Sequence, residues 1–127
     1  MNNLIRVIAR DGSVMCCAVD STKIAAEAER IHKTSATVTA ALGRLLTAGS
    51  MIASMLKNPE DSVTLRLSGG GPAGKFTVVA DGTGMVKGDV ENPVVEIPLN
   101  QYGKLDVGEA VGREGTLYVI KDLGLKE

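Results

Sequence analysis

The chain has 127 residues, enough for one domain, and its 14 basic and 15 acidic side chains leave a net charge of -1. This balance gives no electrostatic surface for DNA or RNA, and two Tyr, one Phe and no Trp leave few rings for base stacking. Arg6 follows only two apolar residues, so the opening lacks the unbroken apolar segment of a signal peptide. We therefore expect a cytoplasmic protein that binds no nucleic acid.

The first elements predict a β-hairpin. Residues Leu4–Ala9 and Val14–Val19 are apolar and branched, and the Asp-Gly pair between them favours a tight turn. Cys16 and Cys17 are neighbours in the second strand, so their side chains point to opposite faces. Adjacent cysteines rarely bond to each other, and they lack the C-x-x-C spacing of a zinc or redox site. We predict that both are small buried apolar side chains.

Two helices are predicted next. The N-capping residues Asp20–Thr22 precede the helix-forming run Lys23–Lys33, in which His32 lies in the last turn and suits a capping or surface role. The run Ser35–Leu56 is apolar on nearly every side and long enough to cross a bilayer. A charge at its middle, Arg44, would cost about 3 kcal/mol in a membrane. We therefore predict a long buried helix and no membrane contact.

Small residues recur every four positions along this second helix. They form two series, Ser35, Thr39, Gly43 and Thr47, and Ala36, Ala40 and Ala48. Residues four apart share a helix face, and small side chains there let a neighbouring element approach closely.

The rest of the chain predicts short strands joined by tight turns. The predicted strands are Val63–Ser68, Phe76–Ala80, Met85–Val90, Val94–Ile97 and Thr116–Lys121, with a loop at Asn100–Lys104 and a short helix at Asp106–Val111 before the last one. Short turns make such a meander antiparallel. The predicted fold is α+β: a β-hairpin, two helices, then a meander whose twisted sheet packs on the helices in one domain.

The glycine-rich stretch Gly69–Gly74 fits both G-x-x-x-x-G-K and G-x-G-x-x-G, two nucleotide-binding patterns. Both patterns require a following helix, whose N-terminus binds the phosphate, but a strand sequence starts at Phe76. Phe76 also stands where a phosphate-binding loop needs Ser or Thr, and Pro72 has no backbone N–H to donate. We predict a hairpin connection here, and a small nucleotide-binding enzyme is the weaker alternative.

Other catalytic signatures are missing from the sequence. It has one histidine and neither a G-x-S-x-G nor an H-E-x-x-H motif. We therefore predict that the chain is not an enzyme and has no catalytic, cofactor-binding or metal-binding residues.

Five stretches resemble the heat shock protein 33 family, the 33 kDa chaperonins. They are RVIARDG, EAERIHKTSATVTAALGRLLTA, SVTLRLSGGGPAGKFTVVADGTGMVKGDV, ENPVVEIPLN and GKLDVGEAVGREGTLYVIKDLGL, and the resemblance covers essentially the whole chain. It implies an α+β core and a redox-regulated, ATP-independent holdase of the bacterial cytoplasm that binds unfolded or oxidatively damaged proteins and protects them under stress.

The resemblance also implies a carboxy-terminal zinc centre built from C-x-C and C-x-x-C, and this chain has neither motif. We therefore expect no zinc here, and we expect residues 1–127 to be an incomplete amino-terminal core domain without the linker and the redox-switch domain. Uncovered sheet edges would then favour self-association, for instance as a homodimer.

The predicted partners are unfolded client proteins. Flexible methionines adapt to varied clients, and the candidate client-binding residues are Met51, Met55, Met85 and Phe76. The alternative for Met51 and Met55 is that they fill the core beside the buried helix. The alternative function is an inert structural or dimerisation half-domain of the same chaperone.

Overall fold

A computed structural model of the chain describes residues 3–124. The elements in chain order are β1 (Asn3–Ile8), β2 (Met15–Asp20), α1 (Thr22–His32), α2 (Ala36–Ala53), β3 (Ser62–Ser68), β4 (Lys75–Asp81), β5 (Val86–Val90), α3 (Val107–Val111) and β6 (Thr116–Asp122). Leu125, the last residue of the final family-like stretch, lies outside the described residues. The α+β fold that the sequence predicts is confirmed.

Helix α2 lies at the centre of the molecule. It packs on a four-stranded antiparallel sheet of order β5-β4-β3-β6, and α1 packs against α2. Strands β1 and β2 form a separate hairpin near the end of α2, where Arg6 Nη2 donates to the carbonyl oxygen of Ser54 at 2.7 Å. The hairpin therefore stands beside the main sheet and is not part of it.

The core lies between α2 and the inner face of the sheet. Alternating residues of β3 and β4 are buried, as expected for strands with one face against a helix. The largest fully buried side chains are Phe76, Leu42, Leu46, Leu65, Val38, Val63 and Val78. Helix α2 is long and apolar enough to cross a membrane, with a mean hydropathy of 1.3, but 50 % of it is buried in the fold. It has the packing of a core helix.

The small-residue series of α2 is the contact surface for α1. A Cβ atom added to Gly43 would lie 3.1 Å from the Cβ of Ala25, so the two helices have no room for a larger residue there without a shift. One turn later the hydroxyls of Thr47 and Ser21 are 2.5 Å apart. The predicted close approach is confirmed, and α1 is the element that approaches.

Helix α1 begins where the side chain of Asp20 accepts two hydrogen bonds. Its Oδ1 accepts from the backbone N–H of Thr22 at 3.1 Å and from the Thr22 hydroxyl at 2.7 Å, while the side chain of Ser21 makes no capping bond. At the other end Lys33 adopts a left-handed φ of 53°. His32 lies in the last turn, as predicted, with Nδ1 3.8 Å from Asp89 Oδ1.

The predicted strand Val94–Ile97 is wrong, because this segment bonds to Ser35, the residue before α2, and joins no sheet. The backbone N–H of Val95 donates to Ser35 Oγ at 3.1 Å, and the Ser35 N–H donates to the carbonyl of Pro93 at 2.9 Å. Pro93 and Pro98 flank the segment and have no N–H for a ladder.

Two further expectations need correction. Helix α2 ends at Ala53 and not at Leu56, because the N–H groups of Met55 and Leu56 donate to carbonyls only three residues back, in a tighter turn. Cys16 is exposed and Cys17 is only partly buried, because the two-stranded hairpin has no core of its own.

Candidate functional site

The glycine stretch 69–74 is a hairpin connection, as predicted. Ser68 pairs with Lys75 across it, and β4 begins at the lysine of the nucleotide pattern. Two of its donors serve α3: Gly71 N donates to the Val111 carbonyl and Ala73 N to the Ala110 carbonyl, both at 3.0 Å. A phosphate site would need these N–H groups to point at the phosphate. They are already bonded to α3, so the arrangement argues against a nucleotide site.

The glycines are required because two backbones touch. Cβ atoms added to Gly69 or Gly71 would overlap backbone atoms of residues 110–112. Gly112 has a φ of +99°, and a Cβ there would overlap the carbonyl of Gly69. The stretch that resembles a nucleotide motif is therefore the place where α3 docks on the sheet.

The four candidate client-binding residues have very different environments. Phe76 is 1 % exposed and lies in the core, so no client can reach it in the folded state. Met51 is partly buried on α2, whereas Met55 is 50 % exposed and Met85 71 % exposed. Phe76 is thus a core residue, and client binding by the three methionines stays a prediction.

Met85 lines a cleft of about 590 Å³ between the start of β1, the end of α2 and the β4–β5 turn. Leu4 and Ser54 face it across the cleft, but Met51 and Met55 are not among its lining residues. The structure therefore does not assemble the four candidates into one site.

The turn that carries Met85 is organised by Asp81. Its Oδ1 accepts from the Thr83 hydroxyl at 2.5 Å, the Thr83 N–H at 2.9 Å and the Met85 N–H at 3.2 Å. The Thr83 hydroxyl bond is the main cause that lowers the pKa of Asp81 below its ordinary value of 3.8, and the backbone N–H bonds of Thr83 and Met85 add to it.

This pKa shift predicts an acid-sensitive turn. Because the pKa of Asp81 is lower in the folded state, its ionised carboxylate stabilises the fold at pH values above the ordinary pKa of 3.8. That stabilisation is lost as the pH falls through the folded-state pKa. Chemical unfolding measured between pH 6 and pH 2.5 should therefore show that the free energy of unfolding falls less for Asp81→Asn than for the wild type. The asparagine has no charge to lose. Parallel curves would contradict the prediction. Other carboxylates titrate equally in both proteins, so the difference reports Asp81.

Sequence reasoning missed the exposure of the apolar strand β6. All seven residues of β6 are exposed, including Leu117, Tyr118, Val119 and Ile120, each at 48–59 %. The available signal was the uninterrupted apolar run itself, which is typical of a strand covered on both faces. Here α2 packs on β3, β4 and β5, and β6 forms the edge of the sheet.

Other apolar side chains are exposed on the hairpin and in the connection before α3. Those on the hairpin or its turn are Ile5, Val7, Ile8, Val14 and Met15, and those in the connection are Val94, Leu99, Tyr102 and Leu105. Large exposed apolar patches are uncommon on monomeric proteins and are typical of interaction surfaces, so these residues are candidates for one.

A sequence profile described as "Hsp33 protein" matches residues 2–127. The chain belongs to this heat shock protein 33 family. The resemblance that the five stretches predict is confirmed.

Several relatives of the family are named "33 kDa chaperonin". The one from Clostridium tetani is 48 % identical over 126 residues, which cover 99 % of this chain and 43 % of that protein. One from Clostridium perfringens (strain SM101) is 50 % identical, covering 99 % and 40 %. The crystal structure of the 33 kDa chaperonin from Thermotoga maritima matches with a TM-score of 0.89 and 34 % identity, over 97 % of this chain and 42 % of that one. The chain thus spans about two fifths of the length of these relatives.

The described residues do not fit the zinc centre that the family resemblance implies. Residues 3–124 contain no group of three or more His, Cys, Asp or Glu side chains placed to hold a metal ion. Cys16 and Cys17 are consecutive on β2, where side chains alternate between faces, so they cannot clasp one ion from the same side.

Proposed function

We propose that this chain is a chaperone domain that holds unfolded or oxidatively damaged proteins without ATP and so prevents their aggregation. The observation that supports it is the exposed apolar surface of β6, in a member of a family whose relatives are named chaperonins. Apolar burial is non-directional and stabilises a complex by about 25 cal/mol per Å², so clients of unlike sequence can all be held.

In this proposal the chain acts in the cytoplasm during stress that unfolds other proteins. Redox control belongs to the zinc region that the resemblance implies, and the described residues supply no ligand set for it. We therefore expect holding by this chain to be the same under reducing and oxidising conditions.

Light scattering tests the proposal. Reduced, chemically unfolded lysozyme is diluted into buffer with this chain, or with an equal mass of a folded protein that exposes no apolar strand. We expect this chain to suppress scattering equally with dithiothreitol and with hydrogen peroxide, and the control protein to leave it unchanged. Absence of suppression in both conditions would show that these residues do not hold clients alone.

The second candidate is an inert structural or dimerisation half-domain. Among residues 3–124 no strand lies on the outer side of β6, and a second copy that occupied this edge would leave nothing for a client. Sedimentation velocity separates the two proposals. A tight homodimer with no effect on lysozyme aggregation would favour the half-domain.

A further inference from the structure

Three segments that are distant in the sequence are joined by backbone hydrogen bonds at one end of the sheet. They are the glycine stretch 69–74, residues 91–95, and α3 with the glycine that follows it, 107–112. We call these three segments together the latch. The bonds that join them lie outside the helices and the strand ladders.

The bonds of the latch run from α3 to the start of α2. On one side the glycine stretch donates to α3, as described above. On its other side Asn92 N donates to the Ala73 carbonyl at 3.0 Å, and Asn92 Nδ2 donates to the Pro72 carbonyl at 2.9 Å. One residue later the Pro93 carbonyl accepts from Ser35 N at 2.9 Å. The latch therefore ties α3 to the residue before α2.

Ser35 bonds to the latch in place of its own helix. It has the non-helical backbone of an N-cap, with φ −65° and ψ 162°, and a serine hydroxyl at this position usually accepts from the first turn of the helix. Among the described residues that hydroxyl makes no capping bond, and it accepts instead from Val95 N at 3.1 Å. The start of α2 is thus held by the latch.

The latch buries much less apolar side chain than the core between α2 and the sheet. Its fully buried side chains are Ala73 and Ala110, each 0 % exposed, whereas the core contains Phe76, Leu42 and Leu46. Three partly buried valines of the latch pack against that core: Val95, Val107 and Val111. Apolar burial stabilises in proportion to its area, so opening the latch costs less free energy than unfolding the sheet.

We propose that the latch opens and closes as one cooperative unit, and that its opening releases the start of α2 while the sheet stays folded. The shared bonds make the unit cooperative. When α3 leaves, the bonds that run through Asn92 to Ser35 are released with it, because Ala73 takes part in both sets of bonds. Opening exposes Ala73 and Ala110, so the molecule gains apolar surface that the closed fold buries. This inference goes beyond the proposed function and does not depend on it.

Amide hydrogen exchange of the wild-type chain at low urea concentrations tests whether the latch is one unit. We expect a single free energy of opening and a single urea dependence for the five amides that join the latch segments to one another and to α2, which are Ser35, Gly71, Ala73, Asn92 and Val95. After correction for intrinsic rates, they should exchange at least tenfold faster than Leu65 and Val78, which pair at the centre of the sheet.

Two results would overturn the proposal. One is a free energy of opening for Ser35 and Val95 that differs from that for Gly71 and Ala73, which would mean that the two ends of the latch open separately. The other is exchange of all five amides only together with the amides at the centre of the sheet, which would mean that the latch opens only when the whole fold does.

A pair of glycine variants tests the coupling between the two ends of the latch. A Cβ at Gly112 overlaps the Gly69 carbonyl and should displace α3, whereas Gly84 has a similar φ and an added Cβ there meets nothing within 4 Å. We expect Gly112→Ala to speed exchange at Ser35 and Val95 at least tenfold, although both lie at the opposite end of the latch. Gly84→Ala should change exchange at these two residues less than twofold.

Unchanged exchange at Ser35 and Val95 in a folded Gly112→Ala variant would contradict the proposal, because it would show that α3 and the start of α2 open independently. If Gly112→Ala does not fold, the urea series on the wild-type chain decides between one unit and two.

Discussion

Replacing Gly112 with alanine is expected to lower the free energy of unfolding by about 3 kcal/mol or more. Part of this loss in the free energy of unfolding comes from the left-handed backbone, since Gly112 has a φ of +99° that disfavours any residue with a Cβ. The larger part is overlap with the carbonyl of Gly69, which belongs to a rigid backbone and cannot rotate away as a side chain would. The contact between α3 and the glycine stretch should therefore open.

Gly84→Ala is the matched control. Gly84 has a similar φ of +93°, but an added Cβ would meet nothing within 4 Å, so only the backbone term of about 1–2 kcal/mol applies. Urea unfolding followed by circular dichroism gives both values. Equal losses for the two variants would mean that α3 does not press on the glycine stretch.

The second large effect is expected for Phe76→Ala, at about 3–5 kcal/mol of unfolding free energy. Phe76 is the largest fully buried side chain, and its removal leaves a cavity between β4 and α2 that the surrounding core cannot fill. Met85→Ala should change stability by no more than about 0.5 kcal/mol, because Met85 is 71 % exposed.

Thermal unfolding and lysozyme light scattering, measured on both variants, distinguish a residue that stabilises the core from a residue that binds clients. We expect the Phe76 variant to melt far below the wild type, and the Met85 variant to melt at the same temperature as the wild type. A Phe76 variant with wild-type stability and no holding would instead restore Phe76 as a client-binding residue.

The parts of the fold that the sequence predicted are those with local causes. The alternation of Val63–Ser68 follows from one buried face, and the hairpin near Gly12 follows from a turn that needs positive φ. The strand β4 was also predictable, because Phe76–Ala80 has a strand sequence in the place where a phosphate-binding loop would need a helix.

The parts that could not be predicted depend on partners distant in sequence. Nothing local in Thr116–Asp122 shows that it pairs with β3. The exposure of Cys16 depends on which hairpin face is left uncovered, and the position of Val95 depends on its bond to Ser35, sixty residues earlier. The candidate client-binding residues show the same limit, since residue type predicted Phe76 and Met85 alike, whereas their packing buries Phe76 and exposes Met85.

The pairing of β3 with β6 has a consequence for synthesis on the ribosome. Strand β3 ends at Ser68 and β6 begins at Thr116, so roughly 50 residues must be translated between them, which takes about 2–10 s at ordinary elongation rates. Strand β4 follows β3 at once and can pair with it early, but the other side of β3 must wait. During those seconds the nascent chain exposes an unfinished sheet, so slower elongation through residues 69–115 should lower the yield of folded protein.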